Sequence, residues 1–224
     1  MGKQINALET AVAEKKKKLT AYHAYAPEEM FLFKGEEQFS VLDFWRYAYS
    51  QLVGLGDTIA EFLVAKALGI EKAENVNYWT AYDMAYRNKR IEVKATWYVH
   101  PWNTHISKVR TFSIEPTNNS YWEISKVGVN GGKILSRQSE VYVFCLNSNM
   151  DIQNNDPLRV DDWIFYVVPT FKINNYCSSY GNPNQKKIAL NVVKRLAKCG
   201  VSFDELKDVV NAAIEKSDEY YEGL

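Results

Sequence analysis

The sequence predicts a mixed α/β domain of α+β type, with a mixed central β-sheet flanked by helices and a helical arm in front. Three observations carry that expectation. Helical spacing governs residues 2–24, 57–68 and two stretches near the C-terminus; two strand-like runs fold back around Arg87-Asn88-Lys89-Arg90; and the runs Val141 to Leu146 and Trp163 to Val168 are continuously apolar and β-rich, as inner strands are. A helix, a hairpin, further strands and closing helices, in that order, bury their apolar sides by covering a sheet with helices.

Taken in order, Ile5, Leu8, Val12 and Leu19 make an amphipathic arm that carries four lysines, Lys15 to Lys18, and Pro27 interrupts it. A run of lysines on a helix is ordinarily a solvated face, although it could touch phosphates. Ser40 is a candidate N-cap for a helix through Asp43-Phe44-Trp45-Arg46-Tyr47 towards Gly54. Ile59, Phe62, Leu63 and Ala67 then recur at helical spacing, with Asp57 and Glu61 four apart, until Gly69 supplies a stop. Strands are expected at Val109 to Ile114 and Tyr121 to Val127, a turn at Asn130-Gly131-Gly132, and inner strands at Val141 to Leu146 and Trp163 to Val168. Ile188, Ala189, Val192, Val193, Leu196 and Ala197 make a helical stripe closed by Gly200, and Ser202-Phe203-Asp204-Glu205 opens a last helix in capping-box form.

At 224 residues and 46% hydrophobic, the chain suits one globular domain, residues 39–224, behind an arm of residues 1–38. Lys plus Arg and Asp plus Glu both total 27, which excludes a general basic bias towards nucleic acid and requires any basic surface to be local. Cys145, Cys177 and Cys199 are odd in number and lack a CxxC, so neither a disulfide framework nor a zinc knuckle is indicated. Neither a GxGxxG nor a GxxxxGK[ST] string occurs to cradle a nucleotide. No apolar stretch approaches the length of a membrane span and the N-terminus is charged rather than signal-like, so a cytoplasmic protein is expected.

The residues that bear chemistry lie in the hairpin. With Asn88-Lys89 as a two-residue turn, Tyr86 pairs with Ile91, Ala85 with Glu92, Met84 with Val93 and Asp83 with Lys94. Opposed residues share a face and alternate residues change face. Asp83, Ala85, Arg87, Arg90, Glu92, Lys94 and Thr96 then make a charged side, and Tyr82, Met84, Tyr86, Ile91, Val93 and Ala95 a greasy one. Asn-Lys lacks the glycine of the strongest hairpin turns, and a turn one residue longer or shorter would undo the pairing.

An acid, any residue and a lysine also occur at Glu14-Lys15-Lys16 and Glu205-Leu206-Lys207. Both copies fall in helical segments, where a two-residue step turns the side chain by roughly 200° and parts the charges. Only Glu92-Val93-Lys94 lies on a strand, with Asp83 on the partner strand and Glu61 on the helix before it. From Gly56 to Thr96 the chain resembles the PD-(D/E)XK nuclease superfamily, to which many restriction endonucleases belong. Asp83 matches the family's first acid, Glu92 its second, Lys94 its lysine and Glu61 the helix glutamate of many members, while Tyr82 stands in place of the name-giving proline. The resemblance implies a restriction-endonuclease-like core, a metal-dependent DNA endonuclease of type II-like restriction or defence kind leaving a 5′-phosphate, and a homodimer for double-strand cutting, with the arm as candidate interface.

Phosphodiester hydrolysis builds negative charge that a divalent cation offsets while activating water. Mg²⁺, for which Mn²⁺ substitutes, takes oxygen ligands, so Asp83, Glu92 and the Val93 carbonyl are the expected ligands, with Glu61 reaching the metal directly or through water. Lys94 orients the water and counters developing charge. Flanking acids raise its pKa, which disfavours a role as base. Rival readings are a structure-specific or repair nuclease of the same fold, a nuclease-like domain that binds DNA or a partner without cleaving, an unrelated α/β interaction protein, and a solvated hairpin side of weak cross-strand ion pairs.

Other residues have ordinary explanations beside functional ones. His100 and His105 fit packed or surface histidines as well as metal or proton chemistry, and Trp97, Tyr98 and Trp102 fit core packing as well as base stacking. Lys108, Arg110, Lys126, Lys133 and Arg137 contact phosphates if they line one cleft and are otherwise surface charges. Lys186, Lys187, Lys194 and Arg195 are expected on the solvated side of a helix, and Asp161 and Asp162 in a turn.

Overall fold

The computed structural model describes residues 26–48, 56–70, 82–99, 110–117, 135–153 and 156–223. The expected arm helix, the strand Tyr121 to Val127, the turn at Asn130, His100, His105, Trp102, Lys108, Lys126 and Lys133 lie outside the described residues. The chain divides into two compact units, Met1–Gln51 and Leu52–Leu224. That division places the helix after Ser40 in the first unit, which ends 13 residues beyond the boundary expected after residue 38.

In the first unit, β1 (Met30–Phe33) and β2 (Glu36–Ser40) form an antiparallel hairpin that leads into α1 (Val41–Ala48). The hairpin was not expected from the sequence. Lys34 and Gly35 both take positive φ, 54° and 86°, the pair of left-handed residues that closes a two-residue hairpin. Ser40 caps α1 as expected: its hydroxyl accepts the Asp43 N–H at 3.1 Å while the Asp43 carboxylate accepts the Ser40 N–H at 3.0 Å.

The second unit is mixed α/β, with a mixed central sheet flanked by helices. Its four-stranded sheet runs in the order β3-β4-β6-β7, where β3 is Met84–Tyr86, β4 Lys89–Trp97, β6 Val141–Asn147 and β7 Trp163–Pro169. β4 and β6 are parallel and the outer pairings antiparallel. The two continuously apolar runs are strands as expected, because both of their faces are covered, but of the two only β6 is an inner strand. β7 lies at the end of the sheet, and burial of its faces by helices rather than strand neighbours on both sides accounts for its apolar run. On one face Ile91, Val93, Val143 and Phe165 pack against α2 (Gly56–Leu68) and α5 (Leu206–Glu222). On the other, Phe144 and Val168 pack against α3 (Thr170–Ser179), α4 (Leu190–Ala197) and a two-stranded sheet of β5 (Thr111–Ser113) with β8 (Lys187–Ala189).

Several expectations shift in detail. Phe62 points outward with Lys66 over its ring, because the buried stripe of α2 is Ala60, Leu63, Val64 and Leu68. Gly69 does end α2: its φ is 77°, and the Ile70 N–H returns to the Ala65 carbonyl at 2.8 Å. α3 was not expected, although Thr170, Ile173 and Cys177 are buried at helical spacing. Lys186 and Lys187 lie at β8 rather than on a helix, and the left-handed residue after α4 is Lys198, not Gly200. Gly200 is small for another reason: a Cβ there would stand 2.5 Å from Ile164 Cγ2. At α5 the Glu205 carboxylate accepts the Ser202 N–H at 3.0 Å, one half of the expected capping box.

Candidate functional site

β4 is the strand on which the candidate site stands. Ile91, Val93 and Trp97 face α2 and α5, so alternation turns Glu92 and Lys94 to the opposite face. Their register partners in β6 are Tyr142 and Phe144, both buried, which sets two charges against an apolar wall. Glu92 Oε1 lies 2.6 Å from Lys94 Nζ, and the two side chains are only 16% and 29% exposed.

Asp83 arrives by a different route. The turn of the second hairpin is Arg87-Asn88, with φ of 51° and 59°, one residue earlier than expected, so Met84 pairs with Ile91 and Tyr86 with Lys89. The physical reason is that both residues of such a turn must be left-handed, and this placement of Asn88 sets the buried Met84 beside the buried Ile91. Both turns have two residues, so the pairing shifts by two places and Glu92 and Lys94 keep their face. For Asp83 the simple face argument fails. Its N–H bonds to the Ile91 carbonyl at 3.1 Å although Ile91 is the partner of Met84, so two residues oppose one in the manner of a β-bulge.

The bulge brings the Asp83 carboxylate to the open edge of β4. Its Oδ2 accepts the Val93 N–H at 2.6 Å and stands 3.9 Å from Lys94 Nζ. Ladder N–H groups lie in the plane of the sheet, so this carboxylate sits at the rim that both faces share. The Val93 carbonyl points to the same rim, because an extended residue aims its N–H and C=O to one side.

Glu61 approaches from the other face. It is half-buried beside Ala60 and Val64 on α2, which covers the Ile91 and Val93 side of the sheet. Its carboxyl nevertheless feels the charges of Asp83, Lys94, Asp57 and Glu92. Burial first, and then the negative charge of Asp83, push the Glu61 carboxyl up to about 7 against the pull of Lys94. Glu92 is likewise pushed up to about 7 by burial and Asp83. Asp83 is raised because burial outweighs the attraction of Lys94 and the Val93 N–H. Burial works against the charge of Lys94, but Glu92 and Asp83 prevail and hold it above its usual range. Negative charge is thus in excess around one ammonium, the condition under which a hard cation binds carboxylates.

The donor set suits Mg²⁺, since Asp83, Glu92, Glu61 and the Val93 carbonyl offer only oxygen. The arrangement is that of an ion-paired site: among the described residues no group of three or more His, Cys, Asp and Glu is placed to hold a metal ion. Lys94 instead engages Glu92 and Asp83.

Two contributors were not singled out from the sequence. Tyr142 is buried next to Glu92, and burial together with that charge pushes its hydroxyl pKa up. Only the register of β4 with β6 reveals it. Asp57 adds negative charge at Glu61, Asp83 and Lys94, and its signal was the four-residue spacing from Glu61.

The remaining candidates go elsewhere. Arg90 pairs with Glu140, Arg87 donates to Asn211 and Lys89 pairs with Asp218, so the turn charges fasten the hairpin rather than join the site. Arg137 donates to the carbonyls of Ile114 and Gln185 at 2.9 Å each and to Asn174 Oδ1 at 2.8 Å, so it is a structural clamp and not a phosphate contact. Trp97 packs edge-on against Trp163, and Arg110 stacks on Tyr98. Asp161 and Asp162 lie in a single 3₁₀ turn before β7, as expected of turn residues. Cys145 is fully buried, and burial pushes its thiol well up, which makes it inert. No helix among the described residues is long and apolar enough to cross a membrane.

Comparison of the chain with protein-family models, with curated proteins and with solved structures gives no match in any of the three.

Proposed function

We propose that this protein is a metal-dependent DNA endonuclease with a restriction-endonuclease-like core, acting in the cytoplasm as a type II-like restriction or defence nuclease. The observation that carries the reading is the meeting of Asp83 and Glu92 on one ammonium, Lys94, at the rim of β4. Those are the residues that carry the sequence resemblance. The four-stranded mixed sheet with helices on both faces is compatible with that core.

Asp83, Glu92 and the Val93 carbonyl would hold Mg²⁺ or Mn²⁺, with Glu61 as a further carboxylate directly or through water. The bound cation supplies charge compensation at the scissile phosphate and activation of water. With a cation held there, Glu92 would no longer be tied to Lys94 alone. The Lys94 ammonium would counter charge on the phosphate oxygens and orient the attacking water. Because its pKa is raised, Lys94 stays protonated near neutral pH and donates hydrogen bonds rather than accepting a proton. Val93 and Ile91 hold Asp83 at the edge through its carboxylate and N–H, so the acid is placed before substrate arrives. A homodimer would supply the second site for a double-strand cut.

A second reading is favoured by the same ion pair. If Lys94 never leaves Glu92, the domain binds DNA or a partner without cutting it. Plasmid DNA incubated with the protein and Mg²⁺ or Mn²⁺ separates the two. Cutting that EDTA abolishes, and that Asp83→Asn and Lys94→Ala both lose, supports the nuclease; wild type and variants alike in leaving the plasmid intact would establish the non-cleaving reading. Sequencing the product ends tells site-specific restriction from structure-selective cutting.

A further inference from the structure

A basic stretch of this neutral chain lies outside the candidate site. Residues 163–203 hold Lys172, Lys186, Lys187, Lys194, Arg195 and Lys198 and no Asp or Glu, although cationic and acidic residues are equal in number over the whole sequence. Glu115 pairs with Lys186. None of the other five forms an ion pair among the described residues.

The fold gathers four of these cations on one ledge. α3 and α4 both cover the Phe144 and Val168 face of the sheet, with Ile173, Cys177 and Val193 turned inward. Their outer residues meet at two points. The Arg195 guanidinium lies 5.6 Å from the centre of the Tyr176 ring, and the charge of Lys198 reaches Lys172. Lys172 and Tyr176 are four residues apart on α3, as Lys194 and Lys198 are at the end of α4, so each pair lies on one side of its helix. Tyr180, 4.9 Å from Tyr176 and 67% exposed, ends the α3 stripe. Burial first, and then the charges of Lys216 and Lys198, hold the Lys172 ammonium below its usual range. Lys172 also stands in the first turn of α3, where the helix dipole opposes a cation. Like charges brought together in this way raise one another's energy, and an anion on the ledge relieves them all.

We propose that this ledge, Lys172, Lys194, Arg195 and Lys198 around Tyr176, holds the phosphate backbone of duplex DNA. The choice of DNA among polyanions rests on the nuclease reading. Placement supports it. The inner residues of α3 and α4 pack in one cluster with Tyr142 and Phe144, the register partners of Glu92 and Lys94, so the ledge stands on the same side of the sheet as that charged pair. Contacts of this kind position a duplex without reading its sequence.

Fluorescence anisotropy of a labelled DNA duplex with the full-length protein in EDTA, over a series of KCl concentrations, tests it. Wild type is expected to bind with an affinity that falls steeply with salt. The Lys194→Gln, Lys198→Gln variant should bind about 10- to 100-fold more weakly at one salt concentration, with a log–log salt slope smaller by about 2. Lys194→Arg, Lys198→Arg should bind as wild type does. So should the charge-matched Lys66→Gln, Lys207→Gln variant, whose changes lie on α2 and α5 over the opposite face. A wild type that ignores duplex DNA, two glutamine variants that weaken binding alike, or an arginine variant that loses binding too would each overturn the proposal. EDTA keeps binding apart from cutting. A protein that holds DNA on this ledge but never cuts plasmid keeps the inference and loses the nuclease, whereas one that cuts plasmid while both glutamine variants bind alike keeps the nuclease and loses the inference.

Discussion

The two hairpins, β1–β2 and β3–β4, close in the same way and end up chemically opposite. Each turns on two left-handed residues, Lys34-Gly35 in one and Arg87-Asn88 in the other. In the first, Phe31, Phe33 and Phe39 stay exposed while glutamates rim the strands. In the second, β4 is an inner strand, and Glu92 and Lys94 are the residues that lose water. Turn chemistry therefore decides that a chain folds back, and neighbouring layers decide whether its charged residues stay in water or lose it.

The largest effect that separates the hairpins is catalytic. Glu92→Gln should lower Mg²⁺-dependent plasmid cutting by about 10²- to 10³-fold, the usual scale for one electrostatic group of a reacting site, whereas Glu37→Gln in the first hairpin leaves the rate unchanged. Equal losses would show that cutting does not belong to the β4 rim. Stability comes next, read by denaturant melts of the metal-free protein. Glu61 and Glu92 have folded pKa values of about 7, above the ordinary carboxylate range, so the folded state binds more protons and stability falls as pH rises from about 4.5 to about 7. Glu92→Gln should flatten that fall and make the metal-free protein more stable at pH 8 by about 1–2 kcal/mol. If the proposed site takes Mg²⁺, the cation would compete with those protons, and the thermal shift it produces should be larger at pH 8 than at pH 6.

Packing gives a comparable effect away from both hairpins. Gly200→Ala places a methyl group 2.5 Å from Ile164 Cγ2, and should cost about 1–3 kcal/mol in a urea melt. Smallest are the turns themselves. Asn88→Gly should stabilise by about 0.5–1 kcal/mol through relief of a left-handed residue, and Gly35→Ala at φ 86° should destabilise by about 1 kcal/mol. Opposite signs at the two turns would confirm that they share one geometry.

What the sequence disclosed follows the range of the forces involved. β6 and β7 were legible because burial on both faces leaves an unbroken apolar run, and Ser40 and Gly69 because caps act within a few residues. Glu92 and Lys94 were legible because strand alternation is local. The Asp83 bulge was not, since it depends on the Asp83 N–H reaching the Ile91 carbonyl across the ladder. Nor was the side from which Glu61 approaches, which depends on how α2 is rotated over the sheet. α3 escaped notice because its ten residues bury only Thr170, Ile173 and Cys177 and more than half of them are Lys, Asn, Ser or Thr, leaving a weak apolar stripe.

The irregular step at Asp83 means that the charged cluster is encoded by a number of residues as much as by their kinds. Deleting Tyr82 would keep every acid and the lysine in the gene, yet pull on the one extra residue that lets Asp83 lean to the rim of β4. A chain of this kind can lose its chemistry through its spacing while its composition still advertises it.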